Sequence, residues 1–310
     1  MPAVRTGRAG NRNYRQGYSR RVQWLKLLSA LYILPSDFRI PNMPAIDLAR
    51  LKTQAARLAE KFGQPEAFVR ELNELLDFYT NRTIRATQII QRHSIPTYRT
   101  PRPVLRQIES ELASLAQTHS SEAVILTKAL WDAGSIESRL LAANLLGNIP
   151  STQAIPALTR LPDWLSRSTD KEVRQALLTD ALARLRWENP DTLFLILEGW
   201  LASPRPTLQV WGMQALVPLL QDPRFENLPA VFRILHPAII AVGPITQVDF
   251  QACIAALERV SVTETLAFLR NILAEQPAPM LLRTLRRILP ALSPELQTAL
   301  REILREKGTQ

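Results

Sequence analysis

From residue 43 onward, apolar residues return every three to four positions along nearly the whole chain. That is the period of an amphipathic helix, not the alternation of a half-buried strand. The run "MPAIDLARLKTQAARLAEKFG" shows it at the start. The pattern predicts helices over 45–62, 65–79, 82–92, 102–117, 120–132, 135–148, 152–166, 169–186, 190–202, 206–221, 226–241, 245–259, 262–275, 279–290 and 294–306. Prolines punctuate the runs, as in "NIPSTQAIP", "WENPD", "ASPRP" and "QDPRFENLP". A residue without an N–H ends one helix or opens the next. No segment reads as a strand. The least regular stretch, "QRHSIPTYRTPRP" at 91–103, predicts a Pro-rich connector between an N-terminal helical group and the main array.

The helices recur in pairs. Second helices open at "FVREL", "PVLRQ", "IESRLLA", "EVRQALL", "QVWGMQAL", "QVDFQAC" and "LLRTLRR", with Arg70, Leu105, Arg139, Arg174, Trp211, Asp249 and Arg283 in the equivalent column. Their spacings are 35, 34, 35, 37, 38 and 34. A period of about 36 residues is two helices and two turns, the length of an α-solenoid repeat. Tryptophan follows the same period: Trp131 in "LWDAGS", Trp164 in "DWLSRS" and Trp200 in "GWLASP" are 33 and 36 apart. Each closes the first helix of a pair. A large ring there seals the corner between neighbours, with its indole N–H expected to reach a loop carbonyl. Ser135 and Ser168 are placed to cap the helix that follows. Trp131 therefore reads as a packing residue, and Asp132 as one that serves the turn or a neighbouring arginine.

Composition agrees with helices: Ala and Leu are abundant, aromatic residues make up 6%, and Gly numbers only 10. The 310 residues are 46% hydrophobic and 21% charged, enough to bury a large core. Charge changes the picture more. The net charge is +10, yet residues 1–42 hold eight Arg/Lys against Asp37 alone, while residues 43–310 hold 30 basic and 27 acidic side chains. Residues 1–42 read as a basic, flexible arm, with Met43 as an alternative start. Within it, "SRR" precedes an apolar run of export-signal length, "VQWLKLLSALYIL". Lys26 interrupts that run, and "PSDFRIPNMPA" supplies no small-x-small cleavage site. No apolar stretch reaches 18 residues, so no membrane span is expected.

The chemistry-bearing residues are sparse. Cys253, the single cysteine, lies in an apolar helical run and reads as a buried, inert thiol; a lone cysteine fits a reducing cytoplasm. His93, His119 and His236 stand apart. No Cys/His spacing suits a metal, and no HExxH, GxGxxG or Walker-type loop occurs. Neither a metal nor a cofactor is expected.

Two segments carry a family resemblance. "SIESRLLAANLLGNIP" and "STDKEVRQALLTDALARL" resemble HEAT-type repeats. More narrowly, "ALWDAGSIESRLLAANLLG" followed by "GWLASPRPTLQVWGMQALVPLLQDPRF" is similar to the bacterial DNA alkylation repair family. The resemblance implies an all-α, right-handed superhelical solenoid of HEAT-like helix pairs over residues 43–310, whose concave groove would hold duplex DNA. The family's glycosylases carry a catalytic aspartate four residues after a tryptophan. Asp180 is the matching aspartate here, with Ala176 where the tryptophan would stand. The family's paired arginines after the W-x-x-S corner are replaced by Gln209-Val210 or Trp211-Gly212. Base excision needs aromatic faces and a carboxylate that stabilises developing positive charge. Only the carboxylate has a candidate.

The arginine column has two readings. Arg70, Arg139, Arg174 and Arg283 could contact successive phosphates along a groove, or each could bond an acid of an adjacent repeat, with Glu137, Asp170 and Glu172 nearby. The second is favoured. The last helical pair adds Arg283, Arg286, Arg287, Arg301, Arg305 and Lys307, as a solvated cap or a contact surface. The residues singled out are thus Asp180 for catalysis and Arg139, Arg174, Arg283, Arg286 and Arg287 for nucleic-acid contact. The expected function is a monomeric, cytoplasmic, non-enzymatic scaffold presenting a concave groove to a protein or nucleic acid. The alternative is a divergent DNA alkylation repair protein that binds duplex DNA, with or without glycosylase activity.

Overall fold

The computed structural model describes residues 47–80, 95–275 and 278–306. The arm over 1–42, the helix expected over 82–92, residues 91–94 of the connector and Lys307 lie outside them. Among the described residues every regular element is helical and no strand occurs. The helices are α1 (Leu48–Ala59), α2 (Pro65–Phe78), α3 (Arg102–Thr118), α4 (Ser120–Asp132), α5 (Ile136–Asn148), α6 (Ser151–Leu158), α7 (Leu161–Arg167) and α8 (Lys171–Thr179). After these come α9 (Ala183–Glu188), α10 (Pro190–Leu201), α11 (Pro206–Leu220), α12 (Leu228–Ile240), α13 (Gln247–Val260), α14 (Val262–Ala274), α15 (Pro279–Ile288) and α16 (Pro294–Glu306). None of the described helices is long and apolar enough to cross a membrane.

The starts of these helices follow from local chemistry. Asp47, Ser135, Asp170, Asn189, Asn227 and Ser261 each turn a side-chain oxygen to the free N–H groups of the first turn. Proline occupies the first turn of α2, α3, α10, α11, α12 and α15, where no N–H is needed. Gly134 follows the end of α4, and its φ of +80° is the left-handed geometry that favours glycine at a helix exit.

Two expected helices are broken. The run over 152–166 is divided into α6 and α7 at Thr159–Arg160. Pro162 offers no N–H to Leu158 and its ring would meet that carbonyl, so the first helix cannot continue through it. The run over 169–186 is divided into α8 and α9. There the Asp180 and Ala181 amides both reach the Ala176 carbonyl, and Ala183 then bonds Asp180, tightening the chain into a short irregular turn. Arg186 donates through Nη2 to the Thr179 carbonyl at 2.8 Å, satisfying a group the break leaves free.

Neighbouring helices pack in two interleaved series. Helices α1, α3, α5, α8, α11 and α13 touch one after another, as do α2, α4, α6, α9, α10, α12, α14 and α16. Cross-links in sequence recur at nearly one separation. Thr97 with Glu137, Asn148 with Arg184, Ser151 with Glu188, Glu198 with Arg233, Gln214 with Asp249 and Glu258 with Ser293 are all hydrogen-bonded 35–40 residues apart. Helix α5 takes the most central place: it touches α3, α4, α6, α8 and α9 and is buried at ten of its positions. Its apolar residues are therefore not confined to one stripe, since neighbours cover it on several sides.

Candidate functional site

The corner after α4 is built on stacked rings. Trp131 and Trp164 lie parallel, centroids 4.6 Å apart and planes 9° apart, and both are buried. The Arg139 guanidinium also meets the Trp131 ring, 4.7 Å from its centroid. Trp200 is buried where α10 meets α11: a Cβ on Gly212 would come within 2.8 Å of Leu201 and 3.6 Å of Trp200. The indoles of Trp131, Trp164 and Trp200 make no hydrogen bond among the described residues, so the expected loop-carbonyl bond is replaced by packing. Ser135 caps α5, its Oγ accepting from Ser138 N at 3.1 Å. Ser168 does not cap α8; it donates back to the Trp164 carbonyl at 2.8 Å, and Asp170 takes the cap two residues later. Asp132 pairs with Lys128 one turn earlier on its own helix rather than with an arginine.

The connector closes this corner. Residues 95–101 are non-helical and cross the start of α5, where the Ile136 amide donates to the Pro96 carbonyl at 2.9 Å. Glu137, 3% exposed, accepts through Oε1 from Thr97 Oγ1 at 2.8 Å and from the Thr100 amide at 3.4 Å. Arg99 sits between them at φ +54°, in the left-handed region. Thr100 Oγ1, Glu137 Oε2 and Arg139 Nε are buried there without a partner. Burial lowers the pKa of Arg139 from its ordinary value. Sequence reading missed this clasp because its two halves lie 40 residues apart.

Asp180 stands at the other end of α8. Its side chain is exposed and Oδ1 accepts from Thr179 Oγ1 at 2.9 Å. Its charged surroundings are Glu109 of α3 and Arg186 of α9. Burial, then the Asp180 charge, raises the Glu109 pKa, while Arg102 and Arg106 oppose that shift. Burial lowers that of Arg186, opposed by Asp180 and Asp222. Arg186 Nη1 is buried without a partner. Asp222 in turn holds Arg224 by two hydrogen bonds of 3.1 Å, and Arg224 covers the Trp187 ring at 4.1 Å. Trp187, 42% exposed, falls outside the tryptophan period of the other three, the one mark that could have singled it out.

The arginine column does not form the expected ladder of carboxylate pairs. Arg139 stacks on Trp131, and Arg174 donates to the Ser168 carbonyl at 3.3 Å. Arg70 and Arg283 are exposed and pair with no described carboxylate. The acids take other partners: Glu137 the clasp, Asp170 the start of α8, and Glu172 the Arg102 guanidinium. Arg286 donates to the Leu304 carbonyl at 3.2 Å and Arg287 to Gln247 Oε1 at 3.3 Å. The arginines proposed for nucleic-acid contact thus lie at separate places on α5, α8 and α15, and none is among the charges that act on Glu109 or Arg186 beside Asp180.

Other candidate chemistry is accounted for by packing. Cys253 is fully buried, donates to the Met213 carbonyl at 3.3 Å, and has its thiol pKa pushed up by burial and then by Asp249. No cluster of His, Cys, Asp and Glu among the described residues has the arrangement of a metal site. An open cavity of about 570 Å³ between α1 and α2 is lined by side chains of both signs, Arg57 and Lys61 with Glu60, Glu71 and Glu74, beside Phe78. No protein-family model, curated protein or solved structure matches this chain.

Proposed function

We propose that residues 47–306 form an α-solenoid of HEAT-like helix pairs that works as a binding scaffold for another protein. The solenoid reading is supported by the two interleaved series of helices and by cross-links recurring 35–40 residues apart, close to the period of the sequence.

The observation that carries the choice of partner is the mixing of charge. The described residues hold 26 Lys/Arg and 27 Asp/Glu, so the helical array is close to neutral. Opposite charges adjoin one another on it: exposed Arg102 with Glu172, exposed Asp180 with half-buried Glu109 and Arg186, and half-buried Asp222 with exposed Arg224. Duplex DNA is held by cations that neutralise successive phosphates, and cations already neutralised by their neighbours serve that purpose poorly. Protein interfaces favour mixed polar surroundings around aromatic and arginine anchors, as Trp187 and Arg224 offer.

Titration with duplex DNA over a range of salt tests the reading. We expect any affinity of the full chain to depend on residues 1–42, which carry +7. A chain beginning at Met43 should keep its melting temperature and lose DNA binding together with its salt dependence. Retained DNA affinity with a steep salt slope in the shorter chain would replace the protein partner with nucleic acid.

A further inference from the structure

The C-terminal part of the array carries an apolar patch joined to a basic one. Val248 at the start of α13 is 75% exposed and Ile245 just before it is 67% exposed. Between them in sequence, Gln247 accepts a hydrogen bond from Arg287 of α15, which ties that arginine to the segment carrying the two aliphatic side chains. On α15, Met280, Arg283 and Arg287 stand at i, i+3 and i+7, hence on one face of the helix. Met280 is 37% exposed and both arginines are exposed. The patch therefore runs from Ile245 and Val248 through Arg287 to Arg283 and Met280.

Nothing described near it neutralises the arginines. Arg283 and Arg287 form no ion pair among the described residues. Both carboxylates of α13 are engaged elsewhere: Asp249 accepts from Gln214 of α11 at 2.8 Å, and Glu258 accepts from the Ser293 amide at 2.6 Å. Arg286, next along the helix, is turned to the Leu304 carbonyl of α16 and belongs to the packing of the last helices.

We infer that this patch docks an acidic, amphipathic segment of a partner protein, with aliphatic side chains on Ile245 and Val248 and carboxylates on Arg283 and Arg287. This deepens the scaffold reading and rests on it. The counter-charge that the array does not supply comes from the partner, and guanidinium–carboxylate pairs set the register. Two carboxylates one helical turn apart on the partner match two arginines one turn apart on α15. A phosphate backbone would answer the arginines but leave the aliphatic pair against a charged, hydrated surface. An anionic membrane surface would need a broad apolar face to enter, where this patch has three separate side chains.

Selection of a random phage-displayed peptide library on the full chain tests the inference, with binding then measured on two double variants. These are Arg283→Glu with Arg287→Glu, and Ile245→Ser with Val248→Ser; all four residues are exposed, and unchanged melting curves verify folding. The expected result is enrichment of peptides combining Asp/Glu with Leu, Ile or Phe, and about tenfold or greater loss of affinity in each variant. Enriched peptides that bind both variants as well as the natural chain overturn the patch and leave the scaffold reading standing. Failure to enrich any peptide overturns both. Short duplex DNA or phosphatidylserine vesicles that bind more tightly than the peptides, and lose that binding in the arginine variant, overturn the acidic segment as the occupant.

Discussion

The Asp180 backbone rests directly on Gly147: a Cβ added to Gly147 would overlap the Asp180 carbonyl oxygen and crowd the Ala181 Cα. The irregular turn between α8 and α9 is thus seated on the one residue of α5 that leaves it room. The break of α8 and the glycine of α5 are two halves of a single contact.

Gly147→Ala should accordingly cost about 3 kcal/mol, at the upper end of the range for overpacking, because the clash is with backbone that cannot rotate away. Gly199 is the control. It lies within α10 with nothing within 4 Å of an added Cβ, so Gly199→Ala should stabilise by about 0.5–1 kcal/mol through helix propensity alone. Urea melts of the two variants decide the matter. A shift of the same sign in both would mean that Gly147 does not seat the turn.

Trp164→Ala removes a buried ring stacked on Trp131 and should cost about 3–5 kcal/mol. The stacking itself is measured by a cycle with Trp131→Ala, where we expect a coupling of about 0.5–1.5 kcal/mol beyond the lost area. Helix α7 packs on α8, and Trp164 stacks on Trp131 of α4, so amide exchange should quicken in α4 and α8 as well as in α7. Additive single losses would show that the two rings contribute only as separate hydrophobic bodies.

Glu137→Ala withdraws the acceptor that holds Thr97 and the Thr100 amide, leaving polar groups of the connector without a partner. A loss of about 1–3 kcal/mol follows from that alone. Arg99 is exposed between the two bonded residues, so it reports on the clasp. Limited trypsin digestion should cut after Arg99 faster in the variant than in the natural chain. An unchanged rate would mean that the Pro96–Ile136 bond and packing hold the segment without Glu137.

Residues close together in sequence were the ones that could be read. Prolines and Asx or Ser residues fix where α2, α3, α10 and α15 begin, and the apolar period carries each helix to its end. The tryptophan spacing even foretold that Trp131 and Trp164 share a role, though not that they stack. The turn at Asp180 was not legible, since it depends on Gly147, which the chain presents 33 residues earlier. The column arginines misled for a related reason. Their spacing predicts equivalent positions, but whether a guanidinium meets a carboxylate, a ring or a carbonyl is decided by the next helix. Hence Arg139 found Trp131 and Arg174 found the Ser168 carbonyl, while Glu172 went to Arg102 of α3.

The same geometry bears on base excision, which the resemblance to alkylation repair proteins would imply through Asp180. Breaking a glycosidic bond requires the nucleotide to be held against aromatic surface while a carboxylate stabilises the positive charge developing on the sugar. Asp180 is exposed at the end of α8, and its described partner is the Thr179 hydroxyl. Ala176, where the resemblance would place tryptophan, is buried in the array, and the charges that act with Asp180 are those of Glu109 and Arg186. We therefore expect no release of 3-methyladenine or 7-methylguanine from methylated duplex DNA above a protein-free control, which must be subtracted because cationic alkylpurines depurinate unaided. Excision abolished by Asp180→Asn, with the melting curve unchanged, would overturn the scaffold reading in favour of catalysis. Excision that survives Asp180→Asn would move the chemistry to another carboxylate. Glu137 would be the first to test by Glu137→Gln, since it is the buried acid nearest the stacked tryptophans in sequence and stands behind the connector.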